Sequence, residues 1–151
     1  MTYNRINNVT GWLVFLIATF VYVSTMEPTA SFWDCGEFIS SAYKLMVPHP
    51  PGAPVFLLIG RFFSLFAGGD ITKVAYWINL VSALSSSFSI LFLFWSITMI
   101  AKKLLKAENG TYSTGQIITI MGAGIIGSLA YTFSDSFWFS AVEAEVYALS
   151  S

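Results

Sequence analysis

Charge is what this sequence has least of. Its 151 residues carry seven basic and eight acidic side chains and one histidine, 10% charged in all, for a net charge of −1. So few charges cannot clothe the surface of a soluble domain, and a mean hydropathy of +0.70 with 56% hydrophobic residues excludes that class. The basic residues are scattered, which leaves neither a nucleic-acid surface nor a polybasic lipid-binding tract. A lone cysteine, Cys35, excludes an intrachain disulfide. The apolar runs 9–26, 74–101 and 116–133 hold no charged residue, so no proton or ion pathway crosses them and a transporter is disfavoured.

What is present is apolar length. Residues 9–26, after a polar start with Arg5, come close to the ~20 residues a bilayer span needs and predict a first transmembrane helix. A signal peptide is the rival, but no small-x-small cleavage site follows. The next run, 54–67, is too short to cross, since about 14 helical residues rise about 21 Å against a ~30 Å hydrocarbon core. Arg61 in its middle also opposes burial, so an interfacial helix is expected. After the turn Gly68-Gly69-Asp70, residues 74–101 predict a second span, with Ser82, Ser85, Ser86, Ser89 and Ser96 as a small-residue packing face. Residues 102–115, with Lys102, Lys103, Lys106 and the turn dipeptide Asn109-Gly110, form a loop, and 116–133 a third span. Counting 54–67 as a span would place the lysine loop on the side of Asp34, against the positive-inside rule. The lysine loop is therefore expected to be cytoplasmic, and residues 27–73 and 134–151 external. The fold class that follows is all-α and integral membrane: three transmembrane helices and two interfacial amphipathic helices, 31–46 and 54–67, in a single membrane domain. The chain stops within a helical stretch and is expected to be the N-terminal part of a longer protein.

Most of the polar chemistry lies in residues 31–56, SFWDCGEFISSAYKLMVPHPPGAPVF. At about 100° per residue, Asp34, Glu37, Ser41 and Lys44 share one helical sector, and Cys35, Phe38, Ile39, Ala42, Leu45 and Met46 the opposite one. Pro48 stops the helix, and His49-Pro50-Pro51-Gly52-Ala53-Pro54 makes an extended elbow, because proline lacks an N–H and restricts the residue before it. Each residue has a bland alternative. Ser31-Phe32-Trp33-Asp34 has capping-box spacing, in which Asp34 would merely satisfy a helix N-terminus. Glu37 and Lys44 suit a solvated helix face. His49, fixed between prolines, is held in a set direction that a merely solvated histidine does not require. Glu143 and Glu145, two residues apart, cannot share a helical face, so only one could point toward Asp34.

Two motifs are set aside. Gly122-Ala123-Gly124-Ile125-Ile126-Gly127 matches the dinucleotide fingerprint, but no second strand has room to complete the unit, and glycines packing membrane helices are expected instead. Asn8-Val9-Thr10 and Asn109-Gly110-Thr111 match the N-glycosylation pattern on the expected cytoplasmic side.

Asp34-Cys35-Gly36-Glu37 after the first span, then the HPPGAP elbow, then Glu143-Ala144-Glu145-Val146-Tyr147 after the third, resemble a bacterial multi-pass membrane family related to the GT-C protein O-mannosyltransferases. The resemblance covers nearly the whole chain, although members of that family are much longer. It implies an inner-membrane enzyme that takes a sugar from a polyprenyl-phosphate donor and passes it to an acceptor hydroxyl, of a protein or glycan, on the external face. It also implies that the first external loop carries the base, at the position of Asp34 with Glu37 beside it. His49, Lys44, Arg61, Glu143 and Glu145 would then contact donor or acceptor. No cofactor and no metal are expected. The fragment alone would be inactive, and a non-catalytic anchoring or assembly module is the competing reading.

Overall fold

In the computed structural model, which describes residues 3–50, 52–105, 111–144 and 146–150, the chain is helical throughout, with no β-strand among the described residues. Lys106 and the Asn109-Gly110 turn lie outside the described residues, as does Glu145. Helix α1, Tyr3–Thr25, begins six residues earlier than the apolar run requires and buries Val14, Ala18 and Tyr22, one residue per turn and so one stripe. The long central helix α4, Val74–Leu104, touches every other long element and buries Ile78, Val81, Ala83, Ile90, Leu91 and Phe94. Helix α5, Thr114–Thr132, opens with a reciprocal capping box between Ser113 and Gln116. These three are long and apolar enough to cross a membrane, α4 with the 3₁₀ turn Ile71–Lys73 that leads into it.

Glycines set how closely the spans approach. A Cβ at Gly124 would lie 2.6 Å from Thr98 Cγ2 and 2.7 Å from the Phe94 ring, and one at Gly127 would lie 2.7 Å from Ile97 Cδ1, whereas Gly122 faces open space. Two of the three fingerprint glycines thus serve α4–α5 packing, and the motif sits inside a helix where no phosphate loop exists. The serines of α4 share one helical sector but not one environment: Ser82 and Ser86 are buried, Ser96 is exposed, and Ser85 and Ser89 return hydrogen bonds to the preceding turn.

The bundle has two distinct ends. At one, Lys102 lies 4.8 Å above the Tyr3 ring and 5.9 Å from that of Tyr112, joining the start of α1, the end of α4 and the approach to α5. At the other, the Tyr22 hydroxyl donates to Thr132 O at 3.1 Å, and Glu27 N–H to Val142 O at 3.2 Å. Here lie the short elements: α2, Cys35–Lys44; α3, Pro54–Ser64, prolonged by the 3₁₀ turn Leu65–Ala67; α6, Asp135–Val142; and α7, Tyr147–Ser150. A second core of Phe38, Ile39, Ala42, Phe56, Leu57 and Ile78 seats α2 and α3 on the first turns of α4. Helix α3 presents Val55, Leu58, Phe62, Leu65 and Phe66 outward, an apolar stripe uninterrupted by charge.

Candidate functional site

The site grows from the two ends of α2. Before it, Trp33 is forced to φ 60°, a backbone region a bulky residue seldom adopts, and turns the chain into the helix. Asp34 takes the N-cap position with its carbonyl accepting from Phe38 N–H at 2.9 Å, but its carboxylate makes no capping bond. The helix therefore starts at Cys35, not Ser31, and the capping reading of Asp34 has no hydrogen bond behind it. At the other end Leu45, at φ 53°, closes a left-handed cap in which Met46 N–H donates to Ser41 O at 2.9 Å. The chain doubles back over the helix. Ser41 is buried although it shares the polar sector of Asp34 and Glu37.

The doubling-back delivers His49 to Glu37. The His49 backbone N–H donates to Glu37 Oε1 at 2.7 Å, and Nδ1 lies 3.0 Å from Oε2. An ionised Glu37 only accepts, so Nδ1 is the donor. The other ring nitrogen, Nε2, lies 3.9 Å from Asp34 Oδ2, and the ring packs on Phe38 with centroids 5.7 Å apart. The Asp34 and His49 side chains are 58% and 45% exposed, so a substrate can reach both. The hydrogen bond from His49 holds the Glu37 carboxyl below the usual carboxylate range. The same bond raises His49 above the ordinary imidazole value, helped by the nearby charges of Glu37 and Asp34 and opposed by partial desolvation. The result is an exposed ledge on which the His49 ring sits between two carboxylates. Asp34, Glu37 and His49 also offer one ligand atom each, all within 4.8 Å of one another, a spacing that a single cation could use.

The remaining predicted residues lie elsewhere. Lys44, at the far end of α2, is exposed and makes no salt bridge to the ledge. Arg61 donates to Tyr43 O at 2.7 Å, with its guanidinium 5.3 Å from the Tyr43 ring centre, and so ties α3 to the C-terminal turn of α2. Nine helical residues separate Asp34 from Tyr43, a rise of about 13 Å. Glu143 ends α6 in extended conformation and its Oε2 accepts from the Cys35 thiol at 3.3 Å. Two residues that sequence reasoning passed over hold this region from behind. One is Cys35 itself, fully buried, and the other is Asn79, 1% exposed, whose Nδ2 donates to Glu27 O at 2.8 Å and Thr29 O at 3.1 Å. A single amide in the apolar run of α4 was the available signal for Asn79.

A helical membrane protein with a solvent-facing acid and imidazole ledge at one end of its bundle is the class these features define. Residues 34–151 match the family described as the protein O-mannosyl-transferase TMEM260 N-terminal domain, and the chain belongs to that family. It is 27% identical over 139 residues to the protein O-mannosyl-transferase tmem260 of Dictyostelium discoideum, covering 92% of this chain and 15% of that one. It is 30% identical over 139 residues to the protein O-mannosyl-transferase TMEM260 of Mus musculus, covering 91% and 17%. The chain thus spans less than a fifth of the length of either relative. These matches establish kinship with protein O-mannosyltransferases and do not speak to bacterial membership. No solved structure matches the chain.

Proposed function

We propose that the chain forms the N-terminal membrane part of a GT-C-like glycosyltransferase, which moves a sugar from a polyprenyl-phosphate donor to an acceptor hydroxyl of protein Ser or Thr. The observation that carries this reading is the convergence of Asp34, Glu37 and His49 on one exposed ledge beside a membrane-crossing bundle. The activity for which the relatives are named supports the reaction class. A lipid phosphate leaves as a stabilised anion and needs no general acid, so one carboxylate suffices as base. Asp34 is that base, removing the acceptor proton in line with phosphate departure, as an inverting glycosidase base activates water. Glu37 fixes His49, whose positive charge beside the reaction centre favours an anionic donor.

The ledge faces the exterior, at the plasma membrane. Arg5, in the first turns of α1, and Lys102 and Lys103, in the last turn of α4, belong to the opposite end of the bundle, which the positive-inside rule assigns to the cytoplasm. Helix α3 then lies in the interface with its outward apolar stripe in lipid. Impermeant labelling of a cysteine at Thr111 in a Cys35→Ser background tests the sidedness: protection from outside is expected, and labelling there would overturn it. The function is tested by transfer of labelled sugar from a polyprenyl-phosphate donor, using the full natural protein with and without Asp34→Asn. Undiminished turnover in the variant would sink the assignment. A non-catalytic assembly module would then take its place, favoured by the groove of about 810 Å³ that Ser85, Ser89 and Phe92 of α4, Gly127 of α5, Phe137 of α6 and Leu149 of α7 line.

A further inference from the structure

The contact between Cys35 and Glu143 joins segments 108 residues apart, and it does so directly behind the ledge. Cys35 is the first residue of α2 and is fully buried; Asp34 precedes it and is exposed. On the other side, Ala144 is itself fully buried in the core that holds Phe38 and Ala42, so the backbone of Glu143 cannot move away without withdrawing its neighbour. The backbone just before it is also held, because Val142 O accepts from Glu27 N–H and Asn79 grips the carbonyls of Glu27 and Thr29. The exit from α1, the second turn of α4 and the end of α6 therefore form one fixed frame, and the thiol–carboxylate bond ties the first turn of α2 to it by a polar contact.

We propose that Glu143 is a positioning residue and not a substrate ligand: by accepting the Cys35 thiol proton it pins the N-terminal turn of α2 and so sets where the Asp34 carboxylate stands. The consequence for catalysis rests on the reading of Asp34 as base; the latch itself does not. A thiol to carboxylate bond needs only an acceptor at position 143 and a donor at position 35, whereas electrostatic capture of substrate needs the negative charge.

Because Cys35 is the sole cysteine in the chain, its own reactivity reports the latch. In the full natural protein in native membranes, a maleimide should label wild-type Cys35 slowly, and any cysteine elsewhere in that protein is first replaced. Glu143→Ala should raise the labelling rate by about tenfold, and Glu143→Gln, which keeps an acceptor, should raise it far less. In the transfer assay Cys35→Ser and Glu143→Gln should stay near wild type, while Cys35→Ala and Glu143→Ala should lower kcat with little change in KM. Their double variant should be no worse than either single one. An unchanged labelling rate in Glu143→Ala overturns the latch whether or not any sugar is transferred. So does a Glu143→Gln variant as impaired as Glu143→Ala, with its loss in KM and Cys35→Ala silent. Labelling that responds as expected in a protein that transfers no sugar leaves the latch standing and removes the glycosyltransferase reading instead.

Discussion

The bundle and the ledge are specified by different physics. Along α4 and α5 the contacts are apolar, buried and close, down to the 2.6 Å left for a methyl group at Gly124, so volume decides what fits. On the ledge the side chains are close to half exposed and are ordered by a few hydrogen bonds to Glu37, so charge and donor pattern decide. The contrast teaches that the two regions should fail separately: volume changes should unfold the bundle and leave the chemistry per folded molecule alone, and charge changes should abolish chemistry with little effect on global melting.

The largest expected effect lies on the ledge. Asp34→Asn keeps size and leaves intact the backbone bond by which Asp34 starts α2. Loss of a general base should cost roughly 10²–10⁴-fold in the transfer rate. Its side chain caps nothing, so the melting temperature measured in the same detergent preparation should not move. A variant that melts early in proportion to its lost activity would erase the distinction drawn between the two regions.

The bundle supplies the converse. Gly124→Leu drives a side chain into Thr98 and the Phe94 ring and should destabilise the protein by about 1–3 kcal/mol or more. Gly122→Leu, on the same helix two residues away with nothing within 4 Å, should be close to neutral. Thermal unfolding of the two variants side by side is the measurement. Equal losses would mean that the helix, and not its contact with α4, is what leucine disturbs.

How much of this the sequence declares follows the same division. Hydropathy locates all three spans, because a run of about 20 apolar residues matches the thickness of a bilayer and little else in a protein, and it rejects 54–67 as a span by length. The ends are less legible. Helix α1 extends back through polar Asn7 and Asn8, where hydropathy has already fallen. The start of α2 is misplaced by four residues because capping-box spacing at Ser31 says nothing of the strained turn at Trp33. Helical phase correctly groups Asp34 with Glu37. It also groups Ser41 with them, and it cannot foresee that the chain returns over that face, since the return depends on a left-handed cap at a leucine. Arg61 could not be assigned to Tyr43, nor Glu143 to Cys35, because such pairs exist only once α3 and α6 have packed. Charge in an apolar sequence marks where polar chemistry is, but not which groups satisfy one another.

The smallest effect tests whether the ledge is held by charge at all. His49 is the one histidine in the chain, so in a sample of this chain its ring resonances can be followed through a titration without ambiguity. Bonding to Glu37 raises its pKa above the ordinary 6.5, and the same bond lowers Glu37 below 4.5. For a raised histidine the stabilising contribution is fully present below the unfolded value and is lost as pH rises through the folded one. For a lowered carboxylate it is present above the unfolded value and is lost as pH falls through the folded one. The pair therefore holds the doubled-back segment across a window that opens below pH 4.5 and closes above pH 6.5. In Glu37→Gln the amide can still meet the ring, but the Glu37 charge is gone and only the smaller effect of Asp34 remains, so the His49 midpoint should fall back toward 6.5. Both groups are exposed, so added salt should move the wild-type midpoint in the same direction. A wild-type midpoint at or below that of Glu37→Gln would show that the hydrogen bond forms without an ion pair. The ledge would then be ordered by the backbone N–H of His49 and the face of Phe38, by packing and geometry as in the bundle.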